Sequence, residues 1–309
     1  MSSLIHTPVL LAEVLAALTP KAGGCYADGT IGAGGHAAAI LEASEPSGRL
    51  YGCDRDSSAV KTATERLARF AGSFELRVGS FAELADWLGP CRCDGVLLDL
   101  GISSVQLGQP ERGFSFQSDG SLDMRMDRRQ PMTAADLLNH AATEELARVF
   151  REFGEEPMAA RIAGMIAQER THQRFTSTRQ LASLIERNVP RKTHRIHPAT
   201  RVFQALRIAV NDELGHLRRG LRSAWTTLKP GGRLAVITFH SLEDRIVKEF
   251  GRRMMRDYDF DGPVDVPELR RPKSPESKWV YRKAITPSAG ETAENPRARS
   301  AQLRVMERL

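Results

Sequence analysis

One alternation constrains this chain more than any other feature. Between Gly24 and Asp99, four short apolar runs are separated by segments of helical period. The runs are Gly24–Asp28, Leu50–Cys53, Phe74–Val78 and Val96–Leu98, and the spacing predicts helices over Ala37–Ala43, Ser57–Phe70 and Phe81–Leu88. The run Val96-Leu97-Leu98 has no polar member, as a strand covered on both faces requires. Strands alternating with crossover helices give an α/β fold with a parallel, doubly wound sheet. A further helix is predicted to open at Thr7-Pro8, with Thr7 as N-cap, Pro8 at the first helical position and a stripe of Val9, Leu10, Val14, Leu15 and Leu18.

The alternation then stops. From Gln106 to Asn211 the pattern holds helices, over Thr133–Asn139, Thr143–Phe153, Pro157–Gln168 and Thr178–Arg187, and no convincing strand. After an amphipathic helix over Glu213–Leu228, the strand pattern returns at Arg233–Thr238. The expected organisation is a discontinuous sheet domain, residues 1–105 and 212–309, with a helical domain inserted at 106–211. A length of 309 residues suits two domains at about 150 each. The tail over Asp257–Thr292 reads mostly as loop, and Gln302–Met306 as a last strand.

Composition excludes whole classes. With 41% apolar and 27% charged residues the chain can bury a core, unlike a disordered or collagen-like sequence. No apolar run approaches the roughly 18 residues that span a bilayer. Val9–Leu18 is broken by Glu13 and preceded by no basic residue, which argues against a signal peptide and for a cytoplasmic protein without a membrane partner. Cys25, Cys53, Cys91 and Cys93 form no C-x-x-C pair, so no metal site is expected from them.

The first strand runs into Asp28-Gly29-Thr30-Ile31-Gly32-Ala33-Gly34-Gly35-His36. Gly32-x-Gly34-x-x-Ala37 fits a dinucleotide-binding turn, in which glycines admit a ligand to the backbone at a helix start. Asp54, ending the second strand, is placed to accept ribose hydroxyls. Asp28 would repel a pyrophosphate but can position the ammonium of a methionine moiety. It therefore favours S-adenosylmethionine over a nicotinamide cofactor. The turn Leu228-Lys229-Pro230-Gly231-Gly232-Arg233 before the fifth strand resembles that of Rossmann-like methyltransferases.

Longer blocks narrow the choice. His6-Thr7-Pro8-Val9-Leu10-Leu11, Asp54-Arg55-Asp56, the run Leu97-Leu98-Asp99-Leu100-Gly101-Ile102-Ser103-Ser104-x-Gln106-Leu107 and Glu111-Arg112-Gly113-Phe114-Ser115-Phe116 are unusual. So are Leu122-Asp123-Met124-Arg125-Met126-Asp127, His197-Pro198-Ala199-Thr200-Arg201, Phe239-His240-Ser241-Leu242-Glu243-Asp244-Arg245 and Asn295-Pro296-Arg297-Ala298-Arg299-Ser300. Together with the glycine loop they resemble the RsmH (MraW) family of bacterial methyltransferases. The resemblance implies a Rossmann-like class I methyltransferase sheet with an inserted helical domain. It implies methylation of N4 of a cytidine in the decoding region of 16S ribosomal RNA, in the small ribosomal subunit, and a homodimer. It implies S-adenosylmethionine contacts at Gly34, Gly35, His36, Asp54, Phe81, Asp99 and Gln106. Residues 252–291 match least well and carry no site expectation.

Exocyclic-amine methyltransferases commonly carry a Pro-Pro-aromatic loop after the fourth strand. Here Asp99-Leu100-Gly101-Ile102-Ser103-Ser104 stands instead, so Asp99 is a candidate for the catalytic amine acceptor or for cofactor binding alone. His240, Glu243 and Asp244 read as a helix cap and hydrogen-bond network rather than a metal site. Net charge is +6, yet Arg170–Arg207 holds nine basic residues against Glu186, or +8. Within it Arg191, Lys192, Arg195, His197 and Arg201 are candidates for RNA binding. A noncatalytic RNA-binding assembly factor with a relic cofactor pocket is the alternative, which the intact Asp54 and glycine loop disfavour.

Overall fold

The computed structural model describes residues 8–90, 92–189, 197–260 and 264–309, with Ser104 and Val105 described by backbone alone. Thr7 and Cys91 therefore lie outside the described residues, as do Arg191, Lys192 and Arg195. The chain forms two compact units, residues 1–101 with 214–309, and residues 102–213.

The first unit is built on α1 (Leu11–Leu18), β1 (Cys25–Asp28), α2 (Gly35–Ala43), β2 (Arg49–Asp54), α3 (Ser57–Arg66), β3 (Phe74–Val78), α4 (Leu84–Leu88) and β4 (Cys93–Asp99). The sheet runs β3-β2-β1-β4 and continues through β5 (Leu228–Thr238), β9 (Gln302–Arg308) and β8 (Ser277–Trp279). The pairs from β3 to β5 are parallel, whereas β9 is antiparallel to both β5 and β8. The order reverses between β1 and β4, the switch point at which open α/β sheets leave a crevice beyond their carboxyl ends. One sheet face packs Tyr26, Leu50, Leu97, Ala235, Ile237 and Leu303 against the apolar sides of α1 and α2.

The structure corrects the expected start of the first helix. Pro8 lies before it, and α1 begins only at Leu11, after Leu10 has taken a left-handed conformation with φ 54°. The cause is tertiary: Leu10 is fully buried, and its N–H donates to Glu291 Oε1 at 2.7 Å. The Leu228–Gly232 turn is also not a separate lead-in. Cys93 pairs with Leu228 and Gly95 with Arg233, so the turn loops out within β5. The tail holds more order than its composition suggests. Ser277–Trp279 extends the main sheet, and β6 (Tyr258–Phe260) with β7 (Arg270–Pro272) makes a separate two-stranded ribbon. Three-residue strands are too short for an alternation to register in sequence. Also in this unit are α12 (Ser241–Met254), which the sequence reading did not separate, and α13 (Ala289–Glu294).

The second unit is helical: α5 (Ser104–Leu107), α6 (Ala134–His140), α7 (Thr143–Gly154), α8 (Ala159–Glu169), α9 (Thr178–Asn188) and α10 (Thr200–Asn211). It ends at Glu213, the first residue of α11 (Glu213–Thr227). Among its described residues the only β pairing is an isolated bridge between Ser121 and Ser177. Its core is its own, gathered from Leu138, Leu146, Phe150, Ile162, Ile185 and Leu206 among others. Capping boxes at Thr133–Asp136 and Ser177–Gln180 start α6 and α9, each satisfying N–H groups that the helix itself leaves open.

Candidate active site

Three strands of the sheet unit end in carboxylates: β1 at Asp28, β2 at Asp54 and β4 at Asp99. Asp28 is 1% exposed. Its Oδ1 accepts from the Thr30 N–H at 3.0 Å and the Thr30 hydroxyl at 3.3 Å. The Thr30 Oγ1 in turn accepts from the Asp99 N–H at 2.6 Å, tying the ends of β1 and β4 together. Sequence reasoning left Thr30 without a role, although its place in Asp28-Gly29-Thr30 was the available signal.

Asp54 holds the glycine turn. Its Oδ2 accepts from Gly32 N–H at 3.0 Å and its Oδ1 from Asp56 N–H at 2.9 Å. Gly34 caps α2 at φ 76°, and a Cβ there would meet the Ala63 backbone at 3.3 Å, so both conformation and space call for glycine. Burial pushes the Asp28 and Asp54 carboxyls up to about 6; the His36 charge opposes it at Asp28, and the Asp56 and Gly32 N–H groups oppose it at Asp54. Two acids raised this far mark a place where burial works against ionisation, a common property of functional sites.

His36, in the first turn of α2, is 6% exposed, with its Nε2 3.6 Å from Asp99 Oδ2. Neither of its ring nitrogens, nor Asp99 Oδ1, has a hydrogen-bond partner among the described residues. Buried polar atoms are rarely left so, and three within one cluster indicate that a ligand completes the set. Phe81 stands at the start of the turn after β3, with its ring edge where a side chain at Gly220 of α11 would be. One ring edge is thus committed to packing. The structure brings Gly34, Gly35, His36, Asp54, Phe81 and Asp99 into one unit. Gln106 belongs to the helical unit, buried, and its side-chain oxygen accepts from Ser103 N–H at 3.1 Å.

The donor set decides between cofactors. A dinucleotide would bring its pyrophosphate charge to three carboxylates. S-adenosylmethionine brings a sulfonium and an ammonium, which those carboxylates attract. Asp54 keeps unused lone pairs for two ribose hydroxyls after holding Gly32 and Asp56. The residues therefore fit S-adenosylmethionine. His240 takes the cap position of α12 in a capping box with Glu243, whose Oε2 also accepts from Phe239 N–H at 2.8 Å. This is the cap expected from the sequence.

The RNA-binding candidates fare differently. His197 donates or accepts at both ring nitrogens, Nε2 against Glu186 at 2.6 Å and Nδ1 accepting from Ala199 N–H at 3.2 Å. Arg201 donates to the Glu155 carbonyl at 3.1 Å. Both are held in place by the helical unit.

Sheet order, glycine turn and acidic strand ends together define a Rossmann-like class I methyltransferase. The family model of the MraW methylase family matches residues 3–309, and the chain belongs to that family. It is accordingly an S-adenosylmethionine-dependent methyltransferase. It is 50% identical to the ribosomal RNA small subunit methyltransferase H of Symbiobacterium thermophilum, over 98% of this chain and 96% of that one. The protein of the same name from Syntrophotalea carbinolica is 51% identical, over 98% of each chain. Among solved structures, an rRNA methylase from Streptococcus thermophilus aligns over 99% of both chains, with a TM-score of 0.44 and 10% identity.

Proposed function

We propose that this methyltransferase modifies N4 of a cytidine in the decoding region of 16S ribosomal RNA, acting on the small ribosomal subunit in the cytoplasm. Likeness to relatives named for the small-subunit RNA, at about half identity, supports the substrate. Among the described residues, no helix is long and apolar enough to cross a membrane. The chemistry rests on one observation, the buried Asp99 Oδ1 without a partner beside His36.

The N4 lone pair is delocalised into the cytosine ring, so the amine is a poor nucleophile. A hydrogen-bond acceptor on its N–H groups restores electron density to the nitrogen. Asp99 supplies that acceptor, with the Leu100 carbonyl as the second. Asp99 is aimed by the Thr30 hydroxyl at its backbone N–H and by the pairing of β4 with β5, which Leu100 N–H continues by donating to the Ile237 carbonyl at 3.0 Å. S-adenosylmethionine, when bound, supplies an electrophilic methyl group. Gly34, Gly35 and His36 with Asp54 and Phe81 would hold it, and the family likeness adds Gln106 to that set. As the amine nitrogen gains its new bond, its proton passes to the Asp99 carboxylate and from there to water. Preorganised acceptors of this kind contribute about 100-fold or more to rate.

Substrate RNA is assigned to the basic part of the helical unit, with Arg191, Lys192 and Arg195 as phosphate contacts, and the enzyme to a homodimer, which light scattering measures. The test of function is transfer of a labelled methyl group to small subunits, followed by nucleoside analysis. N4-methylated cytidine at one decoding-region position is expected. Label on another base or nucleotide would overturn the assignment. A noncatalytic assembly factor would transfer none.

A further inference from the structure

The basic stretch Arg170–Arg207 is not one surface. Arg170 donates to the Leu138 and Ala141 carbonyls at 2.8 and 2.7 Å, Arg201 is held on Glu155, and Arg207 forms a paired bridge with Glu213 at 2.8 Å. These three serve the scaffold of the helical unit. Arg174, Arg179 and Arg187 do something else: they line one cavity of about 350 Å³, together with Gln173, Gln180 and Ser183.

The cavity is polar and its cations are incompletely matched. Asp119 lies 4.0 Å from Arg179 Nε, and Glu169 is the other acid on the wall. Arg187 has no ion-pair partner among the described residues, and it is exposed. Arg174 donates to His140 Nε2 at 2.9 Å, while His140 Nδ1 stands 3.1 Å from the Asp136 carbonyl. An imidazole brings no negative charge, so the Arg174 charge is not offset by His140. Arg179, Ser183 and Arg187 recur every four residues on α9 and so share one helix face. The two arginines stand about 12 Å apart along the axis, the length of three to four stacked nucleotides at about 3.4 Å each.

We infer that this cavity is a contact site for a single-stranded segment of the RNA substrate, apart from the methyl-accepting nucleotide. Guanidinium groups at both ends of the α9 face hold phosphates. The Gln173 amide, the Gln180 side-chain NH2 and the Ser183 hydroxyl on the same wall, with Asp119 and Glu169, hydrogen-bond ribose hydroxyls and base edges. A wholly cationic wall would take any polyanion; the acids on the same wall favour a ligand that also donates hydrogen bonds, as RNA does through its 2′-hydroxyls and base amines. The inference rests on the RNA-methyltransferase reading above.

The experiment compares wild type with the double variant Arg179→Gln, Arg187→Gln and with the charge-preserving Arg179→Lys, Arg187→Lys. Affinity for a decoding-region RNA fragment and for small subunits is measured from 50 to 200 mM salt. Losing two phosphate contacts should flatten the logarithmic salt slope by about 1.4, so wild type sheds about sevenfold more affinity than the glutamine variant across that range. The lysine variant should keep the wild-type slope. Calorimetry with S-adenosylmethionine and circular dichroism check that the fold and cofactor site of the glutamine variant are intact. An unchanged slope in a folded glutamine variant, while wild type methylates RNA, would overturn the inference alone. Weakened binding to subunits with unchanged binding to naked RNA would assign the cavity to a ribosomal protein and also overturn it. Failure of wild type to methylate RNA at all would instead defeat the functional reading.

Discussion

The two units treat charge in opposite ways. Away from its arginine-lined cavity, the helical unit pairs its charges, Arg125 with Asp123 at 2.7 Å, Arg129 with Asp127 at 2.8 Å and Arg207 with Glu213 at 2.8 Å, and His197 hydrogen-bonds Glu186 at 2.6 Å. In the sheet unit, β1 and β2 end in acids whose ionisation burial disfavours, and β4 ends in Asp99, whose Oδ1 is buried without a hydrogen-bond partner among the described residues. Matched pairs fix a scaffold. Unmatched buried acids weaken the fold and are tolerated where a ligand of the opposite charge completes them. The contrast separates paired charges that hold shape from unmatched ones placed to meet a ligand.

The largest effect should come from the scaffold. Phe150 is fully buried in the core of the helical unit. Phe150→Ala should cost about 3–5 kcal/mol there, read by hydrogen exchange at the amides of α6–α10. Protection unchanged in those helices would show that this core does not carry the unit's stability.

Next is the reacting carboxylate. Asp99→Asn should lower kcat by at least about 100-fold while changing S-adenosylmethionine affinity less. Equal losses in both would make Asp99 a binding residue, and full activity would remove it from the site.

Charge in the sheet unit should act against stability in a pH-dependent way. The Asp28 carboxyl is raised from 3.8 to about 6 by burial, so the folded chain holds a proton that the unfolded chain releases between those values. Stability from this group is present below about pH 4 and is lost as pH rises through about 6. Asp28→Asn, which retains an acceptor for Thr30, should therefore raise stability of the ligand-free protein by roughly 2–3 kcal/mol at pH 8. The gain should vanish near pH 4. A destabilised variant at pH 8 would mean that the hydrogen bonds outweigh the burial of charge. By the same logic, affinity for the cationic cofactor should rise between pH 5 and 7 as Asp28 and Asp54 ionise.

Asp54→Ala should reduce cofactor affinity by about 1.5–3 kcal/mol, the range for hydrogen bonds to a charged group. Calorimetry on a folded variant checks it, and unchanged affinity would detach Asp54 from the ribose. The smallest effect belongs to a matched pair near the surface. Glu186→Gln, which leaves His197 a neutral partner, should shift stability by less than about 1 kcal/mol. A larger loss in thermal melting would mean that such pairs carry more of the helical unit than its core does.

Much of this was legible in the chain. The runs of β1, β2 and β4 are mostly buried, so their apolar character is visible, and each ends in an acid at the carboxyl end of the sheet. Asp28, Asp54 and Asp99 were therefore readable as candidate site residues from their place after such runs. The roles within the basic stretch were not. Arg170, Arg187 and Arg201 are the same residue type with similar neighbours in sequence, yet Arg170 and Arg201 donate to carbonyls of α6–α7 and the end of α7, while Arg187 faces a cavity.

The sequence alone determined the α/β class, the break after the fourth strand, the glycine turn and its acids, because each depends on local period or on conformations only glycine adopts. Tertiary structure decided the rest. It started α1 at Leu11 through a contact with Glu291, 281 residues away. It recruited Ser277–Trp279 to the sheet edge, joined Asp28 to Asp99 through Thr30, and left the His36 ring nitrogens and Asp99 Oδ1 buried without hydrogen bonds among the described residues. Partners distant along the chain leave no period in it, so hydrogen bonds and burial between them appear only once the chain has folded.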